Sequence, residues 1–202
     1  MVAVTGATGA PLAPIVLELL RRLDVEIHLI LSKWGAATLK YELEPPRNTI
    51  KYFHSLADHV YSPQDVSAAL SSGSFRTDGM IVVPCSMKTL AAIRAGYDSD
   101  LISRAAGVTL KERRRLVLVA RETPLSMIHL ENMLGVTQAG AIVFPPVMAF
   151  YTQPESIEDL ARQSARRMVD ALDIGIEAEV EEDGLSWEGF DWSKNVKGSV
   201  GD

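Results

Sequence analysis

The N-terminal part of the chain combines a strand, a glycine turn, a helix and a second strand, which restricts the possible folds most. Val2 to Thr5 form a short apolar run, and the turn Gly6-Ala7-Thr8-Gly9-Ala10-Pro11 follows. Apolar residues then recur at helical spacing from Leu12 to Leu20, before an apolar run from Val25 to Leu31. Two strands joined by one helix form a βαβ unit with parallel strands. The sequence therefore predicts an α/β protein built on a parallel sheet.

The rest of the chain continues this alternation. The near-continuous apolar run of residues 79–84 is typical of a central parallel strand that is covered on both faces. Further strands are predicted near Val60 and over residues 116–120 and 141–144. Further helices are predicted over residues 34–41, 86–95, 101–109, 126–134 (with Gly135 as C-cap) and 156–174. We expect a three-layer fold, with helices on both faces of the sheet.

The composition limits the possible partners. A formal net charge of −6 provides no basic surface for nucleic acid, and the single cysteine excludes an internal disulfide and a multi-cysteine metal site. No apolar run approaches the ~20 residues that span a membrane, and no secretory signal is visible. We expect a soluble intracellular protein, cytoplasmic, or mitochondrial if a presequence has been removed. Residues 1–176 are expected to form one domain, and residues 177–202 an acidic, tryptophan-containing tail.

The end of the second predicted strand discriminates between cofactors. A dinucleotide-binding fold uses a G-x-G-x-x-G turn and an acidic residue near the end of this strand, which binds the ribose hydroxyls. Here the turn is G-x-x-G, and the strand ends in Ser32 and Lys33, a hydroxyl and a cation. These residues favour a phosphate over a ribose diol, so the sequence favours a mononucleotide such as FMN over NAD.

A second turn, Pro84 to Thr89, links a predicted strand to a predicted helix. Ser86, Lys88 and Thr89 offer two hydroxyls and a cation, and a helix start adds free backbone N–H groups that suit an anion or a polar ring edge. An ordinary turn with Ser86 as N-cap explains the same residues.

Two other groups of ionisable residues have alternative interpretations. Arg121 and Glu122 follow a predicted strand, where they form either an ion pair that fixes the loop or a phosphate clamp beside a proton donor. His54 and His59 have no metal-like set of partners in the sequence, so we expect surface or structural roles for both.

Three stretches together go beyond a generic α/β pattern. They are Thr5-Gly6-Ala7-Thr8-Gly9-Ala10, Pro84-Cys85-Ser86-Met87-Lys88-Thr89-Leu90-Ala91, and Leu110 to Arg114 leading to Arg121-Glu122-Thr123-Pro124-Leu125 and Ile128 to Met133. On these motifs the sequence resembles the UbiX/Pad family of flavin prenyltransferases, long described as phenylacrylic acid decarboxylases. The resemblance covers about residues 1–175.

This resemblance implies that a dimethylallyl group is transferred from dimethylallyl phosphate to N5 and C6 of reduced FMN, without a metal. The product, prenylated FMN, would serve a partner decarboxylase of the UbiD type. The family fold is flavodoxin-like or Rossmann-like, and the family assembles as a homododecamer with the flavin between subunits. The donor, phosphate or pyrophosphate, and the acid that the partner decarboxylates stay open.

The resemblance also assigns roles to residues at the motif positions. Those expected to bind FMN are Gly6, Ala7, Thr8, Ser32, Ser86, Met87, Lys88, Thr89, Arg104 and Arg121. Those expected to bind the prenyl substrate are Lys111, Arg121, Tyr151, Arg167 and, from the tail, Trp187. Those expected to act in catalysis are Thr8, Glu42, Lys111, Arg121 and Glu122. Without a metal, several protein cations must stabilise the departing phosphate.

Two other functions fit parts of the sequence. A flavin-dependent decarboxylase of the phosphopantothenoylcysteine decarboxylase type shares the broad fold, but it carries a Pro-Ala-Ser-Ala-Asn type of turn and a catalytic histidine near the first turn. Here residues 84–88 read Pro-Cys-Ser-Met-Lys, and no histidine lies near Gly6. A non-catalytic flavin-binding partner of a decarboxylase would leave the cations without a task.

Overall fold

The computed structural model describes residues 1–174, and these form one sheet of six strands. The strands are β1 (Val2–Val4), β2 (His28–Leu31), β3 (His59–Tyr61), β4 (Gly79–Cys85), β5 (Arg115–Ala120) and β6 (Ile142–Val143). The helices are α1 (Leu12–Arg22), α2 (Lys33–Glu42), α3 (Ile50–Ser55), α4 (Met87–Ala95), α5 (Leu101–Lys111), α6 (Met127–Gln138) and α7 (Ile157–Asp170). None of these helices is both long and apolar enough to cross a membrane.

The core lies on both faces of the sheet, because successive side chains of a strand point to opposite faces. In β4, Ile81 and Val83 pack on the side of α1, α3 and α7, whereas Met80 and Val82 pack on the side of α4, α5 and α6. All of β4 is buried. The predicted α/β class, with a central strand covered by helices on both faces, is confirmed.

The strand order creates a crevice at the carboxyl edge of the sheet, by which we mean the side on which the parallel strands end. The order is β3-β2-β1-β4-β5-β6, and every pairing is parallel. The chain therefore proceeds outward in one direction from β1 to β3 and in the other from β4 to β6. In open parallel sheets, ligands bind where the order reverses, outside the carboxyl ends of the strands. Here that point lies between the turns that follow β1 and β4.

One predicted helix boundary is wrong. Gly135 was expected to end its helix, but α6 continues to Gln138, and Gly135 is buried within it. A Cβ at this position would collide with the side chain of Arg94 on α4. Glycine here leaves room for the Arg94 side chain where α6 packs on α4, and it does not end the helix.

Candidate functional site

Thr5 ties together the two turns that border the crevice. Its hydroxyl donates a hydrogen bond to the Pro84 carbonyl oxygen at 2.8 Å and accepts one from the Ser86 N–H at 2.8 Å. Its backbone N–H also donates to the Pro84 carbonyl oxygen, at 3.2 Å. Thr5 is only 3% exposed. Sequence analysis did not single it out, although a polar residue that ends an apolar strand next to a glycine turn was the available signal.

Two of the helices that start at this edge, α2 and α4, begin with a serine N-cap. The Ser32 hydroxyl accepts from the Gly35 N–H at 2.9 Å at the start of α2, and the Ser86 hydroxyl accepts from the Thr89 N–H at 3.3 Å at the start of α4. The Ser32 N–H donates to the Val4 carbonyl oxygen at 3.0 Å, so α2 begins beside β1. The interpretation of Ser86 as an N-cap is confirmed. Helix N-termini carry partial positive charge, which suits a phosphate or a polar ring edge.

The glycine turn after β1 packs against the first turn of α2. A Cβ on Gly6 would collide with the Cβ of Trp34, and one on Gly35 would lie 2.6 Å from the Val4 carbonyl oxygen. Gly6 and Thr8 are exposed at this turn, and Ala7 is half-buried. Trp34, which sequence analysis also passed over, is 71% exposed. The turn thus presents bare backbone and an indole ring at the same edge.

The Glu42 carboxylate holds the start of α1. Its Oε2 accepts hydrogen bonds from the N–H groups of Gly9 at 2.9 Å and Ala10 at 2.8 Å. A carboxylate is favourable at a helix N-terminus because it meets unpaired N–H groups and the positive end of the helix dipole. These hydrogen bonds join the last residue of α2 to the glycine turn, so Glu42 contacts the backbone of the turn that borders the crevice.

Arg121 and Glu122 follow β5 on the other side of the crevice. The Arg121 N–H donates to the Cys85 carbonyl oxygen at 3.3 Å, which keeps the β5 turn beside the β4 turn. Glu122 Oε1 accepts from the Thr123 N–H at 3.1 Å.

Cys85 is buried, and burial raises the pKa of its thiol to about 12. The cysteine therefore stays protonated and supplies no thiolate nucleophile.

Three other predicted residues lie on α4 and α5. Met87 and Lys88 occupy the first turn of α4, where the Lys88 ammonium lies 3.9 Å from the Asp100 carboxylate at the start of α5. The Arg104 guanidinium donates to the Ser71 carbonyl oxygen at 3.1 Å and pairs with Asp98 at 3.0 Å. Both cations are therefore paired with acidic residues of the α4–α5 region.

Lys111 and Arg167 are not brought to this edge within one chain. Helices α5 and α7 run back along the sheet, so Lys111 at the end of α5 and Arg167 in the last turn of α7 lie towards the amino ends of the strands. Arg167 is exposed and pairs with Asp170 at 3.2 Å. Tyr151 is half-exposed in the loop that follows β6. Trp187 and the predicted tail lie outside the described residues.

Comparison with known proteins gives consistent matches. A family model described as Flavoprotein matches residues 1–172. A mitochondrial flavin prenyltransferase of Saccharomyces cerevisiae is 58% identical over 174 residues, which cover 86% of this chain and 71% of the relative.

Two solved structures are similar over almost the whole chain. AnUbiX in complex with FMN and dimethylallyl pyrophosphate has a TM-score of 0.86 and 58% identity, covering 94% of this chain and 97% of that chain. A dodecameric FMN-dependent UbiX-like decarboxylase from Escherichia coli O157:H7 has a TM-score of 0.85 and 49% identity, covering 94% of this chain and 98% of that chain.

Proposed function

This chain belongs to the UbiX-like family of flavin prenyltransferases, and we propose from that premise that it prenylates reduced FMN. The C–O bond of dimethylallyl phosphate breaks, phosphate leaves, and a C–N bond forms at flavin N5 as N5 loses its proton. The prenyl double bond then takes up a proton, and its tertiary carbon forms a C–C bond to C6 as the C6 proton is lost. Prenylated FMN is released for a decarboxylase of the UbiD type. The observation that carries this proposal is the likeness to a structure that holds FMN and dimethylallyl pyrophosphate.

The crevice residues have chemistry that suits this reaction. The capped starts of α2 and α4, at Ser32 and Ser86, offer backbone N–H groups to the FMN phosphate and to the polar edge of the ring. Gly6 lets a flat ring approach the backbone without meeting a side chain. The Arg121 guanidinium would stabilise the departing phosphate by charge-assisted hydrogen bonds. Glu122 follows Arg121 directly, and its carboxylate would accept the C6 proton.

We infer that a neighbouring copy of the chain completes the phosphate site. Lys111 and Arg167 carry the charge that a metal-free C–O cleavage needs, yet both lie away from the crevice of their own chain. A residue that is remote in one subunit reaches a site only across an interface. The dodecameric state of the Escherichia coli relative supports this arrangement.

The first experiment measures the mass of the flavin. Purified protein is incubated anaerobically with reduced FMN and either dimethylallyl phosphate or the pyrophosphate, and the small molecules are analysed by mass spectrometry. We expect the flavin to gain one prenyl unit with at least one donor. A flavin of unchanged mass, from protein shown to bind FMN, would overturn the proposal. Decarboxylation, the activity named for the Escherichia coli structure, would then be tested by measuring CO₂ release from an aromatic acid.

The second experiment tests the shared site by subunit complementation. Arg121→Ala and Arg167→Ala should each abolish turnover. The purified Arg167→Ala variant should still bind FMN. The two variants are then co-expressed in equal amounts so that they assemble at random. If Arg121 and Arg167 of one site come from different subunits, about a quarter of the sites will contain both arginines. Recovery of about that fraction of activity supports the shared site. No recovery from demonstrated mixed oligomers contradicts it, because both arginines would then serve the site of their own chain.

The compartment is also a proposal. We infer from the mitochondrial yeast relative that the mitochondrion and the cytosol are the two compartments to test. Cell fractionation followed by detection of the protein would decide between them.

A further inference from the structure

The amino edge of the sheet, the side on which the parallel strands begin, lies opposite the crevice and carries a second cluster of ionisable side chains. The parallel register pairs His28 of β2 with His59 of β3, and their rings stack with centroids 4.8 Å apart. Oε1 of Glu26, just before β2, lies 2.8 Å from His59 Nε2 and 3.5 Å from His28 Nε2. The sequence-based expectation that His59 lacks metal-like partners is therefore wrong, because strand pairing supplies partners from about thirty residues away.

We propose that Glu26, His28 and His59 form a binding site for a divalent metal ion of the zinc class. Two imidazoles and one carboxylate are a donor set that zinc uses in proteins, and they suit zinc better than magnesium or calcium, which prefer oxygen ligands. The three ligand atoms lie within 4.8 Å of one another. Zinc bonds of about 2.0–2.2 Å in tetrahedral geometry place ligand atoms about 3.4 Å apart. Glu26 Oε1 and His28 Nε2, at 3.5 Å, already have this separation, whereas the two histidine nitrogens must approach each other and Glu26 and His59 must separate slightly.

The surroundings of His28 hold its ring in the orientation that such a site needs. His28 Nδ1 is hydrogen-bonded to the Tyr61 hydroxyl at 3.0 Å, and the edge of the ring packs against Phe75 with centroids 5.4 Å apart. Metal-binding histidines commonly have their other ring nitrogen engaged in this way. The His28 side chain is 8% exposed, so its Nε2 stays directed at Glu26.

The other two ligands have the freedom to close around an ion. The side chains of His59 and Glu26 are 51% and 65% exposed. Rotation of these two side chains would bring the ligand atoms together and separate the stacked rings without disturbing the core. The site therefore combines one fixed ligand with two adjustable ones.

A cavity beside the cluster gives an ion access and room for a water ligand. It has a volume of about 600 Å³, and Glu26 and His28 form part of its wall. Asp78 and Asp173 also line it, together with Arg76. Met1 lines the same wall, and Asp173 pairs with Arg115 at 2.6 Å, so the cavity contributes space for the fourth ligand of a tetrahedral site.

Calorimetric titration of zinc chloride into untagged, full-length protein that has been stripped with a chelator tests the proposal. We expect about one zinc ion per chain, and His59→Gln and Glu26→Gln should each weaken binding by about tenfold or more. His54→Gln and His129→Gln, which change surface histidines elsewhere, are matched controls and should bind zinc as the wild type does. Cobalt(II), titrated in place of zinc, should give visible absorption bands of a four-coordinate ion that His59→Gln removes.

Two results would overturn the metal site. One is a wild-type protein that takes up no zinc. The other is His59→Gln and Glu26→Gln variants that bind zinc as tightly as the controls do. FMN binding is measured in the same samples, and it should not respond to zinc or to either substitution, because the cluster lies at the opposite edge of the sheet.

Discussion

Replacing Thr5 with valine tests whether one buried hydroxyl positions both turns of the crevice. Valine keeps the shape of threonine but removes the oxygen that bonds to Pro84 and Ser86. The Pro84 carbonyl oxygen keeps its bond from the backbone N–H of residue 5, whereas the Ser86 N–H loses its acceptor. A buried donor left without a partner costs about 1–3 kcal/mol. Since Ser86 is half-buried, we expect Thr5→Val to lower the free energy of unfolding by about 1–2 kcal/mol.

Thermal unfolding and hydrogen exchange measure this effect. For a domain of this size, the expected loss lowers the melting temperature by about 2–8 °C, measured at one protein concentration because oligomers shift it. The Ser86 amide should also exchange faster with solvent, and FMN should bind more weakly.

Two further variants serve as controls for Thr5→Val. Thr5→Ser keeps the hydroxyl, and Thr137→Val removes an exposed hydroxyl that donates to the Met133 carbonyl oxygen within α6. Both should stay close to the wild type. A Thr5→Val protein that melts within about 1 °C of the wild type, with unchanged exchange at Ser86, would refute the reasoning.

Three other changes follow from contacts at the two edges of the sheet. Gly6→Ala should weaken FMN binding measured by fluorescence, because the added Cβ collides with Trp34; unchanged affinity would contradict the close approach. Cys85 should resist alkylation by iodoacetamide at pH 8 in the folded protein and react after unfolding, because burial raises its pKa to about 12; rapid labelling of folded protein would show that the thiol is accessible. A hydrogen bond from the Ile27 N–H lowers the pKa of the Asp58 carboxyl below its ordinary value. The stability that Asp58 adds relative to Asp58→Asn should therefore be present above pH 4 and disappear as the pH falls through that lowered pKa, as urea unfolding at several pH values would show; a difference that persists at lower pH would contradict this.

The parallel sheet was predictable because burial on both faces leaves a direct record in the sequence. The apolar run of residues 79–84 has no alternation, and β4 is buried throughout. The glycine turn and Ser86 were also predictable, since helix starts and tight turns depend on local residue types. Gly135 shows the limit of local signals: glycine ends many helices, but here it makes room for Arg94 of another helix.

The site was predictable only in part because much of it depends on contacts between distant residues. The Thr5 bridge joins positions 79 to 81 residues apart, and the two histidines become neighbours only through the register of β2 with β3. Lys111 and Arg167 show a further limit. Motif position identified them as substrate-binding candidates, but it carries no information on the edge of the sheet at which a helix ends, or on the chain whose crevice they reach.

The carboxylate at the start of α1 has a consequence for which cofactors the fold admits. In dinucleotide-binding proteins of this topology, the pyrophosphate sits at the N-terminus of the first helix. Here the Glu42 carboxylate accepts from the N–H groups of Gly9 and Ala10, immediately before α1. An incoming pyrophosphate would have to displace a negative charge and leave it unpaired beside its own. We therefore expect the Glu42 carboxylate to disfavour the pyrophosphate of NAD or FAD at that position, which leaves the site to a mononucleotide.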